Sequence, residues 1–194
     1  MKTKTPHPKS KAIKICLFGI GDVGDEVLGK VSKFLLRHVD GVEIVVEILP
    51  DVSFAFNEER NQYNAKEILK EMERHIHDDA LKAIGITGYD LFLPMLKYVY
   101  GSSQVEGRCA LFSLFRLHPR FYSPADADNQ RLFDCRVEKT TLHEIAHTFG
   151  LTHCMNPECV MYSSSRIEDT DCKNPEFCPT CRELFQWILE KRKD

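Results

Sequence analysis

The sequence has no run of the roughly 18 apolar residues that a membrane-spanning helix requires, which excludes a helical membrane protein. Its N-terminus shows no apolar stretch ahead of a small-residue cleavage site, so the chain is expected to stay in the cytoplasm. No tract long enough to be a propeptide precedes the first predicted strand. Positive charge is not in excess: 26 Lys and Arg face 29 Asp and Glu, for a net charge of −3. A nucleic-acid partner is therefore not expected, nor is a membrane partner. Internal repeats are also lacking, which removes solenoids and propellers.

What is present is the composition of a water-soluble globular chain, 43% apolar and 28% charged over 194 residues. That length suggests one domain, large enough to bury a core without disulfides. Residues 1–12, rich in Lys and Pro, are expected to form a disordered basic tail, leaving residues 13–194 as the folded unit. Of the eight cysteines, Cys16, Cys109 and Cys135 are scattered, whereas Cys154, Cys159, Cys172, Cys178 and Cys181 crowd into the C-terminal stretch. In a reducing compartment such clustering favours metal binding over disulfides.

Hydrophobic period supplies the elements. Residues 13–20 read as a buried strand, and residues 22–38 carry Val23, Val27, Leu28, Val31, Phe34 and Leu35 at helical spacing. Residues 42–49 form a β-branched strand. Asn64 with Glu67 resembles a capping box, before a helix with Ala65, Ile68, Leu69, Met72 and Ile76 on one face. Residues 82–87 are a third strand. This alternation predicts an α+β fold whose N-terminal part is α/β-like, with a twisted, mixed but mostly parallel sheet. Residues 96–100 and 108–115 read as two further strands, with the sheet edge expected in 108–115. Residues 117–130 are loop-like, a helix is predicted from about residue 131 to Phe149, no period holds over 151–178, and a short helix begins near Pro179.

The decisive segment is HEIAHTFGLTHC, residues 143–154. A helix turns about 100° per residue, so His143 and His147 project from one side, one turn apart, as two imidazoles sharing a tetrahedral zinc must. Glu144 stands beside the first ligand and can reach water at the metal without occupying a coordination position. A straight helix cannot bring a third ligand six residues beyond His147 to the same point. Gly150 can end the helix in the left-handed conformation and return His153 to the metal. Three neutral ligands leave zinc its full charge and an open fourth position.

HExxHxxGxxH followed downstream by Met is the metzincin signature. Here Cys154 follows the third His at once, Cys159-Val160-Met161 comes after four more residues, and Cys178-Pro-Thr-Cys181 closes the segment. Over residues 143–181 the chain resembles the archaemetzincins, and GITGYDLF (residues 85–92) agrees more loosely. The resemblance implies a compact zincin-like fold, with an active-site helix and an N-terminal subdomain of residues 13–150. A small zinc-stapled C-terminal subdomain would span residues 151–194. It implies peptide hydrolysis by zinc-activated water with Glu144 as general base, and Met161 as the Met-turn residue. It also implies a second, structural zinc on Cys154, Cys159, Cys178 and Cys181, hence two zinc ions per chain. The partners would be a peptide or protein substrate for a monomeric enzyme. The residues alone agree in part: Cys178 and Cys181 form a CxxC knuckle, but the Cys154–Cys159 gap is wider than usual and Cys172 competes for a place.

Other signals read differently. Gly19, Gly21 and Gly24 fit GxGxxG with Glu43 about 20 residues on, a dinucleotide-binding pattern; a tight, closely packed strand-to-helix turn explains it better. His75 and His77 sit two apart on a predicted helix, so they face different ways; Asp78 and Asp79 extend that polar end. His118 reads as a surface residue near the cleft, and Tyr162 as packing or cleft lining. The alternative function is a non-enzymatic zinc-binding interaction module, against which the intact Glu144 argues.

Overall fold

The structure, a computed structural model, describes residues 12–49 and 51–192. The expected basic tail therefore lies outside the described residues except for exposed Ala12. The strands are β1 (Ile13–Ile20), β2 (Val42–Leu49), β3 (Phe56–Asn57), β4 (Gln62–Asn64), β5 (Lys82–Thr87), β6 (Leu91–Phe92), β7 (Gly101–Ser103) and β8 (Cys109–Ser113). The helices are α1 (Asp25–His38), α2 (Ala65–His75), α3 (Gln130–Thr148), α4 (Ile167–Cys172) and α5 (Pro179–Lys191).

The main sheet runs β2-β1-β5-β8-β7. Its first four strands are parallel, and β7 closes one edge antiparallel to β8, pairing Gly101 with Phe112 and Ser103 with Ala110. The expected edge assignment is corrected here: β8 is paired on both sides, and β7 is the edge. The reason is local, because residues 96–100 bend through a turn instead of extending, and only Val99 makes an isolated bridge to Leu91. A second sheet, β3-β4-β6, is too short for any sequence period to reveal.

Period-2 alternation on the central strands divides the interior into two cores. Ile13, Ile15 and Leu17 of β1, with Ile84, Ile86, Ala110 and Phe112, face α1, α3 and α5. Cys16, Phe18 and Ile20, with Ala83, Cys109 and Leu111, face α2. Strands buried on both faces must be apolar throughout, which is why β1 reads as a continuous hydrophobic run. The edge strand β2 instead leaves Val46 and Ile48 exposed.

Helix starts and stops follow the local chemistry. The Asn64 side chain accepts from Lys66 N at 3.0 Å to open α2. Asn129 does the same for α3 through Leu132 N at 3.1 Å. Helix α2 ends at His75, so His77 lies beyond it, where it pairs with Glu47. Helix α3 is buried on nearly every face from Phe133 onward, so no amphipathic period marks it. Its end is a Schellman turn: Gly150 N donates to His147 O at 2.9 Å and Leu151 N to Ala146 O at 3.2 Å, with Gly150 at φ +103°. Lys82 reinforces that end by donating to Thr148 O at 2.5 Å and Gly107 O at 2.6 Å.

At the turn into α1, Gly21 has φ +73° and lies against the Tyr89 ring, which a Cβ there would overlap at 2.6 to 2.8 Å. Gly19 is crowded by Ile48 and Leu28. Two of the three glycines of that turn, Gly19 and Gly21, thus serve close packing, whereas a Cβ at Gly24 would meet nothing within 4 Å. Among the described residues no helix is long and apolar enough to cross a membrane.

Candidate metal centre

Helix α3 carries His143, Glu144 and His147 into a cleft of about 500 Å³. The cleft is also lined by His153 and by all three residues of β7. The Schellman turn reverses the chain after α3, and His143, His147 and His153 each bring one ring nitrogen to within 4.8 Å of the others.

The tautomers of two of these rings follow from their partners. His143 Nδ1 lies 2.8 Å from Val160 O and His147 Nδ1 lies 2.6 Å from Leu151 O. A carbonyl only accepts, so both Nδ1 atoms carry the proton and both Nε2 atoms present lone pairs. Those Nε2 atoms face each other at 3.1 Å. Two lone pairs at that distance repel unless a cation lies between them. A proton is a poor candidate, since burial holds both imidazoles below their ordinary basicity. A metal that takes neutral imidazole nitrogen fits, and zinc does.

Glu144 is buried, and burial pushes its carboxyl up to about 7, against opposing effects of the Ser103 hydrogen bond and the Lys173 charge. A divalent cation nearby draws that value down. Ser103 Oγ lies 2.5 Å from Glu144 Oε2 and 2.9 Å from Glu144 O, so one hydroxyl proton serves two acceptors and ties the side chain to β7. Gly101 makes room on the other side. A Cβ there would lie 2.5 Å from Glu144 Cδ and 2.7 Å from Cγ, and would also collide with Oε1.

The second cluster is sulfur. One Sγ from each of Cys154, Cys159, Cys178 and Cys181 lies within 4.8 Å of the rest, and none is in a disulfide. Cys178 N donates to Cys159 Sγ at 3.3 Å and Asn156 N to Cys154 Sγ at 3.4 Å. Burial raises Cys159 and Cys181, while hydrogen bonding lowers Cys178. Four sulfurs this close cannot all ionise without a cation, and a tetrahedral thiolate zinc site needs this donor set. Cys172 stands apart, exposed at the end of α4.

Met161 is fully buried in the core shared by α3 and α5, and its carbonyl accepts from Cys154 N at 2.9 Å. The remaining sequence candidates do not join the cleft. His118 caps the turn at Pro119 and packs 4.8 Å from the Phe133 ring. His75 bonds back to Glu71 O. Tyr162 contributes its carbonyl, which accepts from Lys173 Nζ at 3.0 Å. Sequence reasoning missed Gly101, Ser103 and Lys173. Nothing in residues 101–103 or in the irregular segment around 173 marks them, because their positions come from long-range packing.

A helix-borne pair of imidazoles with an intervening carboxylate, a third imidazole after a helix-ending turn, and an adjacent sheet edge together have the layout of a metallopeptidase. Known proteins agree. Residues 12–187 match the model of Peptidase family M54. The archaemetzincin of Methanocaldococcus jannaschii is 37% identical over 177 residues, covering 90% of this chain and 93% of that protein. The crystal structure of archaemetzincin from Methanopyrus kandleri superposes with a TM-score of 0.82 at 30% identity, covering 94% of this chain and 98% of that one. A zinc-dependent peptidase from Methanocorpusculum labreanum superposes with a TM-score of 0.75 at 29% identity, over 88% of this chain and 99% of that one. The chain belongs to the archaemetzincins, peptidase family M54, and has their mixed α+β fold.

Proposed function

We propose that the protein hydrolyses peptide bonds with one zinc held by His143, His147 and His153 and with Glu144 as general base. A second, structural zinc is held by Cys154, Cys159, Cys178 and Cys181. The observation that carries this reading is the pair of Nε2 lone pairs facing each other at 3.1 Å while both Nδ1 atoms are tied to carbonyls. Zinc held by three neutral imidazoles supplies Lewis acidity, acidifying water and polarising a carbonyl.

The chain's own groups then do the positioning and the proton transfers. Glu144 takes a proton from the attacking water at a carboxylate oxygen. As the water oxygen bonds to the peptide carbon and the C–N bond breaks, Glu144 gives a proton to the departing amine nitrogen. Ser103 holds Oε2 in register for both transfers. The free edge of β7 offers backbone N–H and C=O groups to an extended peptide, in the manner of β-augmentation. Gly150 divides residues 13–150, which carry the sheet and the first two imidazoles, from residues 151–194, which carry the third and the four cysteines. Both parts share one apolar core, so they are subdomains of one unit.

The test is zinc per chain by elemental analysis, with peptide cleavage in parallel. Wild type should hold two equivalents, and His143→Ala one, with cleavage lost. Glu144→Gln should keep both and lose cleavage; retained turnover would exclude the general-base role. One equivalent in wild type, with all four clustered thiols reactive, would overturn the second zinc. Two equivalents without cleavage of any broad peptide library would favour a zinc-binding interaction module.

A further inference from the structure

We infer that the cleft contains a carboxylate-binding subsite formed by Lys173 and Ser164, which recognises an anionic group on the substrate. The inference rests on the peptidase reading above and adds a substrate class to it. Lys173 is 3% exposed and lines the same cleft as Glu144 and the three imidazoles. An ammonium has three donors, and this one has a single acceptor, Tyr162 O at 3.0 Å.

Other buried cations of the chain are better partnered. Arg136 makes a two-point bond to Asp171 and a third to Leu117 O. Lys139 donates to Thr170 O and Asp171 O, and Lys82 to Gly107 O and Thr148 O. Among the described residues Lys173 has no carboxylate within salt-bridge distance, and a buried charge is costly unless it is paired.

The second observation is independent of the first. Ser164 lines the same cleft, and its Oγ is enclosed with no hydrogen-bond partner. An enclosed hydroxyl without a partner has lost its water and gained no bond in exchange. Two sets of unspent donors therefore share one cavity. Charge points the same way. Among the described residues Glu144 is the only acidic one in the lining, with Lys173 beside it, so a doubly charged zinc would leave the cleft with a positive excess. A substrate carboxylate would accept from Lys173 Nζ and Ser164 Oγ together and offset that excess. Its source is either the C-terminal carboxylate of a peptide or an acidic side chain.

The experiment is isothermal calorimetry on the zinc-loaded full chain with three acetylated tetrapeptides. One ends in a free acid, the second is its C-terminal amide, and the third is that amide with Glu in the last position. Cleavage of each is followed separately by mass spectrometry. The free acid, the Glu peptide or both should bind at least tenfold more tightly than the neutral amide, and which of them does so identifies the source. Lys173→Met should erase the preference, Lys173→Arg should keep it, and Ser164→Ala should reduce it several-fold, with melting curves verifying that each variant folds. No preference in wild type overturns the subsite and needs no variant. A preference that survives Lys173→Met reports metal ligation alone and also overturns it. Cleavage without preference sinks the subsite and spares the peptidase reading; preference without cleavage does the reverse.

Discussion

Replacing Gly101 with Ala places one methyl group where Glu144 now lies. The added Cβ would meet Glu144 Cδ at 2.5 Å and Cγ at 2.7 Å, against an ordinary contact of about 3.5–4.0 Å between carbon atoms. Either the carboxylate or β7 must retreat by about 1 Å. Overpacking of this kind costs about 1–3 kcal/mol of stability. A displacement of that size at a reacting group costs about 10²-fold in rate, or about 2.7 kcal/mol of transition-state stabilisation. The three atoms nearest the new methyl all belong to Glu144 and none to His143 or His147, so zinc content should stay at the wild-type value. The assay is kcat/KM for a peptide substrate, with zinc content and a urea unfolding curve on the same preparation. Activity within threefold of wild type would refute the reasoning, because Glu144 would then tolerate displacement from the position the packing assigns it. The matched control is Gly29→Ala on α1, where a Cβ meets nothing within 4 Å. It should leave activity unchanged and raise stability by about 0.5–1 kcal/mol through helix propensity.

Other perturbations probe different parts of the molecule. Ser103→Ala removes the hydroxyl held by Glu144 and should lower kcat about tenfold with zinc retained, as read by steady-state kinetics. Asp171→Ala leaves the buried guanidinium of Arg136 without its two-point partner and should cost about 3 kcal/mol in denaturant unfolding. Burial holds Lys82 at about 8 when folded, below its ordinary value near 10.5. Between those two pH values the unfolded chain binds more protons, so stability contributed through Lys82 rises with pH across that window and is flat below it. Urea midpoints at pH 7.5 and 9.5 should therefore diverge between wild type and Lys82→Met, and identical pH slopes would reject the assignment. Cys178→Ser should lower zinc content by one equivalent and the melting temperature with it, and a strong chelator added to wild type should reproduce that loss of stability.

Much of the framework is legible because it is local. The central strands β1, β5 and β8 announce themselves as apolar runs, since each is buried on both faces. One turn of helix suffices to bring His143 and His147 together, and Gly150 at its positive φ suffices to end that helix, so HExxHxxG alone implies the turn that is seen. Helix α3 lies within a residue of the span expected from about residue 131 to Phe149, although burial on nearly all sides removes the polar face that period analysis needs. The short sheet of β3, β4 and β6 left no trace, its two- and three-residue strands being shorter than any period.

The sequence by itself determined the order of the long strands and helices, the donor types, and the spacing that lets two imidazoles and a carboxylate share a helix face. Only the tertiary structure decided that β7 and not residues 108–115 forms the edge beside the cleft. It alone brought Gly101 and Ser103 against Glu144, gathered four sulfurs from both ends of an irregular segment, and enclosed Lys173 and Ser164 in the same cavity. The physical reason is range. Helix and strand periods are properties of neighbouring residues, whereas those contacts join positions some 20 to 40 residues apart whose approach depends on how the two cores pack against the sheet.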